Sequence, residues 1–382
     1  MKKIKLVYIL EAMAGGTKQH AVNLLLNLDQ NKFDIFFIYS NLRRCFSDQE
    51  KEKFLSAGIR LVDIPMTRGI SAVNLRAIAK IRKILLQEKF SIIYTNSTIA
   101  GICGRLAAIS AGTGRVVYSP HAYYFLISNF FPIRYALILL EKILSFFTDY
   151  YIAVSKSESG LTRRFITGTK IIYTINNFLP REIISGSRTK PTGISHDTVS
   201  DVLLVTRFKK QKRTELFIEI AEKLLEKKDL CIRIIGASEG SEKILRLIKK
   251  KNLQHKIFFH TEIRPPLLYT FIAGARILAN VSRFEGLSYN MIEAFAFKKT
   301  FISFAVTGLQ DAIKNNYNGF LIKDRDTSAF AEKILILLEQ DSIRRRIGKN
   351  CFRAYKNKYS LPGNIKKYET VFARISRAAG LF

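Results

Sequence analysis

Glu285 and Glu293 stand eight positions apart in Ser282-Arg283-Phe284-Glu285-Gly286-Leu287-Ser288-Tyr289-Asn290-Met291-Ile292-Glu293-Ala294. Glu285 precedes a glycine; Glu293 lies in an apolar run that reads as a helix. At roughly 1.5 Å per residue the two carboxylates fall about 10 Å apart. That separation is too long for a shared proton or for two groups flanking one bond. It suits one elongated ligand, with hydroxyls at both ends and an anion held between them at a helix N-terminus. A nucleotide sugar has that layout: sugar, diphosphate, ribose. Arg207 and Lys212 supply the matching cations in Arg207-Phe208-Lys209-Lys210-Gln211-Lys212, where a guanidinium at a strand end can clamp a diphosphate. His121, in Ser119-Pro120-His121, follows another strand, an address that His20, His196, His255 and His260 do not share with a motif. Gly15-Gly16 follows the first strand and opens a helix, where a phosphate or sugar can approach the backbone closely. A full G-x-G-x-x-G is absent, so the dinucleotide fingerprint is not met.

These residues need strands to carry them. Short apolar segments alternate with amphipathic ones along all 382 residues, the pattern of a parallel α/β protein. Strands are expected at Lys5–Leu10, Asp34–Tyr39, Arg60–Ile64, Ser91–Thr95, Arg115–Ser119, Tyr150–Val154 and Lys170–Thr174. A second set is expected at Asp201–Thr206, Leu230–Gly236, Lys256–His260, Ala275–Val281 and Thr300–Phe304. The Gly/Ser/Pro-containing stretch 185–199 reads as a linker. The expected division is therefore 1–184, a linker 185–199, 200–360, and a C-terminal helix in 361–382 that returns to the first domain. Tyr368, Val371, Phe372 and Ile375 form one apolar stripe on that helix. Such sheets bind ligands at the carboxyl ends of their strands, and a two-domain version places its site in the cleft between them.

Composition narrows the classes. Hydrophobic residues make up 48% of the chain, enough for two cores. No apolar run is long enough to span a bilayer. The N-terminal apolar stretch is interrupted at Lys5 and Glu11, which favours a first strand over a signal peptide. Cys45, Cys103, Cys231 and Cys351 lack metal or disulfide spacing and read as reduced thiols of a cytoplasmic protein. The net charge of +31 concentrates anions. No long basic arm or nucleic-acid module accompanies it, so nucleic acid is not the expected partner. An anionic membrane surface is one. The aromatic-rich segment Ile127–Phe147 reads first as a buried crossover helix, with contact to a membrane or a lipid acceptor as the other reading.

The ordered set of motifs resembles the large family 4 of glycosyltransferases, with the GT-B fold of two Rossmann-like doubly wound domains facing across a cleft. It includes Gly15-Gly16, Ser119-Pro120-His121, Ala153-Val154-Ser155, Asn176, Arg207 with Gln211-Lys212, Ile235-Gly236, Glu285-Gly286-Leu287 through Glu293-Ala294, Gly308 and Asn318-Gly319. The resemblance implies retaining, metal-independent transfer from a UDP- or GDP-sugar to a glycan or polyprenyl-lipid-linked acceptor. Nucleotide-sugar binding with an epimerase-like or non-catalytic role is the alternative. Arg207 and Lys212 would hold the diphosphate, Glu293 the ribose, and Glu285 the sugar hydroxyls. The amides of Gly286, Leu287 and Ser288 would complete the donor site, Gly15 and Gly16 would let the first domain close on it, and His121 would orient the sugar. No cofactor or metal is implied; Asp324-Arg325-Asp326 has an Asp-x-Asp form but lies in a late loop. Five departures stand out. Thr206 and Arg213 replace glycines flanking the cation pair, and Asn177 replaces the glycine after Asn176. A glycine near His260-Thr261 is missing, and Phe297-Lys298 replaces an Ala-Gly or Cys-Gly pair.

Overall fold

The computed structural model describes residues 3–11, 13–42, 46–69, 71–128, 130–185 and 198–378. The chain divides into two units, Met1–Phe178 with Leu361–Phe382, and Leu179–Ser360.

The first unit is built on a parallel sheet. Its strands are β1 (Ile4–Leu10), β2 (Phe33–Tyr39), β3 (Arg60–Asp63), β4 (Ile92–Asn96), β5 (Arg115–Ser119), β6 (Tyr150–Ala153) and β7 (Ile171–Thr174). They run in the order β3-β2-β1-β4-β5-β6-β7. β1 is apolar along nearly its whole length because helices cover both faces of the sheet. Leu6, Tyr8 and Leu10 pack into one core, and Val7 and Ile9 into the other. The C-terminal helix Leu361–Arg377 places Tyr368, Val371, Phe372 and Ile375 in the first of these cores.

The second unit holds β8 (Ser200–Val205), β9 (Ile232–Gly236), β10 (Ile257–Thr261), β11 (Ala275–Asn280), β12 (Thr300–Phe304) and β13 (Phe320–Ile322), in the order β10-β9-β8-β11-β12-β13. In both sheets the strand order reverses beside the first strand, between β1 and β4 and between β8 and β11. Crevices at such reversals are where open α/β sheets bind ligands.

Three differences from the sequence reading have plain causes. The first domain ends at Phe178, ahead of 184, because Leu179 bonds to Tyr359 O at 2.9 Å and so joins the second unit. Of the linker at 185–199, residues 186–197 lie outside the described residues, as does Cys45. β13 was not expected: it has three residues, and its register is set by pairing Ile302 with Phe320.

At three of the positions where the resemblance calls for glycine, the left-handed backbone is kept without it. Arg213, Glu262 and Lys298 have φ of 46°, 57° and 58°. A side chain there is disfavoured by contact between Cβ and the backbone. Lys298 is exposed, just beyond the helix Tyr289–Ala296. Lys298→Gly is therefore expected to stabilise the protein by about 0.5 kcal/mol, the relief of strain exceeding the added freedom of the unfolded chain. Urea denaturation of the two proteins checks this.

Candidate active site

In the second unit the site is built where β8 and β11 lie side by side. The segment after β8 carries Arg207 and turns back through a Lys212 N–H bond to Lys209 O at 2.8 Å. The segment after β11 carries Glu285. Two bonds join the segments: Gln211 Nε2 donates to Phe284 O at 2.9 Å, and Arg283 N donates to Gln211 O at 2.8 Å. This seats Lys212 Nζ 2.6 Å from Glu285 Oε1. Asn280 Nδ2, at the end of β11, lies 3.5 Å from the same oxygen.

Glu285 is buried. Burial works to raise its pKa, but the charge and hydrogen bond of Lys212, with bonds from Ser282 and Asn280, outweigh it. The carboxyl is held below its ordinary range. It is an anion made tolerable by one cation. Lys212, expected as a diphosphate ligand, is thus a partner of Glu285 in the unliganded chain, and any anion entering here competes with that carboxylate for its ammonium.

The backbone behind Glu285 is equally constrained. Glu285 N donates to Thr307 O at 3.0 Å. Gly308 has φ of 83°, and a Cβ there would stand 2.4 Å from Glu285 O and 2.5 Å from Gly286 O. Only glycine lets this loop back the Glu285–Gly286 turn. Gly286, Leu287 and Ser288 are buried beside it. Ser288 caps the helix Tyr289–Ala296, its hydroxyl accepting Met291 N–H at 3.4 Å. Glu293 is buried one turn further along. Asn290 Nδ2 reaches back to Val205 O at 2.5 Å and ties this helix to β8.

Arg213 explains one departure. Its left-handed backbone turns the chain after Lys212 as the missing glycine would. Its guanidinium donates to Val281 O at 2.9 Å, Ser282 O at 2.8 Å and Asp324 Oδ1 at 2.6 Å. The side chain therefore clamps the start of the Glu285 segment. Asp326 caps the helix Thr327–Glu339 by accepting Ala329 N–H at 2.9 Å. Both acids of the Asp-x-Asp sequence thus have structural work. Among the described residues no three His, Cys, Asp or Glu side chains gather as a metal site.

The first unit gathers its own set at the ends of β1, β4 and β5. Gly15 turns the chain with φ of 62° into the helix Gly15–Leu25, which begins with no side-chain cap and contains Gly16. That helix carries His20. His121 and Ala122 follow β5 with φ of 50° and 85°. His121 Nε2 lies 3.1 Å from Asn96 Oδ1 at the end of β4. The His20 ring meets the His121 ring edge-on at 4.7 Å between centroids. His20 is itself held from both sides, by Tyr8 Oη at 3.1 Å on Nδ1 and Tyr368 Oη at 2.9 Å on Nε2. Burial lowers the pKa of His121 to about 4, and burial with the neighbouring His121 lowers that of His20 well below 6.5. Both rings are neutral at pH 7.

Glu158, missed in the sequence, holds the left-handed turn in place. Its Oε1 accepts Ala122 N–H at 2.5 Å and its Oε2 accepts Val154 N–H at 2.8 Å. Ser155 Oγ in turn accepts Glu158 N–H at 3.1 Å. The signal was present as Ser155-x-x-Glu158, the spacing of a helix N-terminus. His20 was set aside for lack of a strand-end motif, and Asn96 carried no signal beyond ending a strand.

The family models match in two blocks that fall on the two units. A model described as Glycosyltransferase Family 4 matches residues 14–181, and one described as Glycosyl transferases group 1 matches residues 190–353. The chain belongs to the family 4 glycosyltransferases, with the GT-B fold. Among curated relatives, it is 30% identical over 171 residues to a poly(ribitol-phosphate) alpha-N-acetylglucosaminyltransferase of Staphylococcus aureus. That match takes in 44% of this chain and only 34% of the relative. It is 22% identical to the Escherichia coli UDP-Gal:alpha-D-GlcNAc-diphosphoundecaprenol alpha-1,3-galactosyltransferase, over 97% of each chain. Among solved structures, Anabaena HepE in complex with UDP-glucose superposes with a TM-score of 0.77 at 14% identity, over 97% of this chain and 100% of that one.

The buried groups of the first unit make stability depend on pH in two opposing ways. Burial is the main cause that raises the Glu158 pKa to about 7, against the two N–H bonds that lower it. Its raised value favours the fold below about pH 4.5, and that advantage is lost as pH rises through 7. The lowered value of His121 favours the fold above about 6.5, and that advantage is lost as pH falls toward 4. Glu158→Gln removes the first slope and exposes the second. The gain in unfolding free energy from pH 5 to pH 7 is expected to be larger in the variant than in wild type by roughly 2 kcal/mol. Urea melts at both pH values measure it.

Proposed function

We propose that this glycosyltransferase moves a sugar, with retention, from a nucleotide diphosphate sugar to a cell-surface polysaccharide or lipid-linked oligosaccharide acceptor, without a metal. The observation that carries the reading is the Lys212–Glu285 pair, its carboxylate buried, on the segment that also carries Arg207 at the strand-order reversal of the second unit. A diphosphate brought there meets Arg207 and draws the Lys212 ammonium toward itself. Glu285 is then released to accept hydrogen bonds from sugar hydroxyls. Glu293, on the second turn of the following helix, takes the ribose hydroxyls, and the amides of Gly286, Leu287 and Ser288 line the sugar and phosphate.

In the reaction the bond between the sugar's anomeric carbon and the diphosphate oxygen breaks, its electron pair leaving with the diphosphate. An acceptor hydroxyl oxygen bonds to the same face of that carbon, and its proton passes to the departing phosphate oxygen. Arg207 and Lys212 stabilise the growing negative charge. The relatives that act on a poly(ribitol-phosphate) and on a diphosphoundecaprenol-linked sugar support the acceptor class, and the UDP-Gal named for one of them supports a UDP-sugar donor ahead of a GDP-sugar. Work on such acceptors supports a cytoplasmic enzyme peripheral to the inner face of the membrane.

The division of labour between the two glutamates is testable. Glu293→Ala is expected to weaken UDP binding by roughly tenfold or more, as loss of a charged hydrogen bond does. Glu285→Ala is expected to leave UDP binding within a few-fold and to abolish transfer. Titration calorimetry with UDP and a transfer assay across UDP-sugars read both; the reverse pattern overturns the assignment.

A further inference from the structure

The helix Phe131–Ser145 was expected to be buried, and on one side it is. Ile138, Glu141, Leu144 and Ser145 face the interior. Glu141 fixes that side, accepting from the fully buried Arg105 at 3.0 Å and from Tyr118 Oη at 3.2 Å. The opposite side is apolar too, and it is open. Phe131, Tyr135, Leu139 and Ile143 recur every four residues along it, and Phe146 continues the line. Phe131 is 67% exposed, Leu139 57% and Phe146 77%. The rings of Phe131 and Tyr135 already meet, tilted at 45° with centroids 4.3 Å apart. A helix apolar all round is ordinarily enclosed on every side, and a contiguous apolar patch of this kind marks an interaction surface.

The charges around the patch select its partner. Between residues 121 and 148 Glu141 is the sole acid, and it is buried. Lys142 is exposed on the helix, and Arg163 and Arg164 are exposed on the turn Thr162–Ile166 that packs against it. A second copy of the chain would bring another net +31 to the same place, which opposes self-association. An anionic bilayer supplies both an apolar interior and the opposite charge. At 15 residues the helix is too short to cross a membrane, and no described helix is long and apolar enough to do so. It has the length and composition to lie in the interface.

We propose that the outward face of the helix Phe131–Ser145, flanked by Lys142, Arg163 and Arg164, is the surface by which this protein docks on anionic membranes. The proposal deepens the membrane-peripheral reading and does not depend on the sugar-transfer chemistry. The chain contains no tryptophan, so a single Phe146→Trp substitution reports on this face alone, with Tyr317→Trp in the second unit as its control.

The test uses phosphatidylcholine vesicles with and without phosphatidylglycerol. Wild type is expected to sediment with the anionic vesicles and to release as salt is raised. The F146W emission is expected to shift to shorter wavelength on those vesicles while that of Y317W stays in place. Leu139→Glu with Ile143→Glu is expected to lower vesicle partitioning by roughly tenfold or more, with UDP binding unchanged. Should that double variant fail to fold, the F146W shift decides. Absence of wild-type binding to anionic vesicles, binding with no F146W shift, or a stable dimer through this face without vesicle binding would each overturn the proposal. Vesicle binding with the F146W shift but without UDP binding supports the docking surface and strikes the transferase reading instead.

Discussion

The second unit is organised around one interaction that a folded chain tolerates only under strict conditions: a buried carboxylate against a half-buried ammonium. Glu285 and Lys212 lie on different segments, 73 positions apart in sequence and 2.6 Å apart in space. The carboxylate alone in that place would be strongly unfavourable, and the attraction of Lys212 offsets its desolvation only when the geometry holds. The surroundings meet that demand. Gln211 and Arg213 bond the two segments together, Gly308 backs the Glu285 turn without a side chain, and Asn290 secures the following helix to β8. Every one of these contacts limits where the pair can sit. The result is a carboxylate held charged in a buried place by a single ammonium.

The first unit solves the opposite problem, keeping a titratable ring uncharged. His121 sits in a left-handed turn that no glycine relieves, and the turn persists because Glu158 accepts Ala122 N–H from beneath and Asn96 meets the ring from β4. The ring of His20 closes the remaining side, itself fixed by Tyr368 from the far end of the chain. This gives the C-terminal helix a place in the site as well as in the core.

Much of this was legible in the sequence because apolar runs of five to seven residues have few alternatives to buried parallel strands. The strands from β1 to β12 were found that way, and with them the addresses of the residues singled out: His121 after β5, Arg207 and Lys212 after β8, Glu285 and Glu293 after β11. The misses have physical reasons. β13 is three residues long and exists by pairing with β12. Glu158 looks like an ordinary helix-capping acid, and only the fold brings Ala122 to it. Three of the glycine departures keep a left-handed backbone, because glycine makes a left-handed residue easy but is not required for one, as Arg213, Glu262 and Lys298 demonstrate. The helix Phe131–Ser145 was misjudged because an all-apolar pattern is the same whether its outer face meets protein or something else.

Lys212 and Glu285 stabilise each other as an ionic unit whose carboxylate is buried, and a double-mutant cycle on unfolding free energy tests this most directly. Lys212→Ala, Glu285→Ala and the double variant, compared with wild type in urea, should show the double variant less destabilised than the sum of the singles by on the order of 2 kcal/mol. Additivity to within about 0.5 kcal/mol would contradict the account, because two side chains that do not depend on each other behave that way.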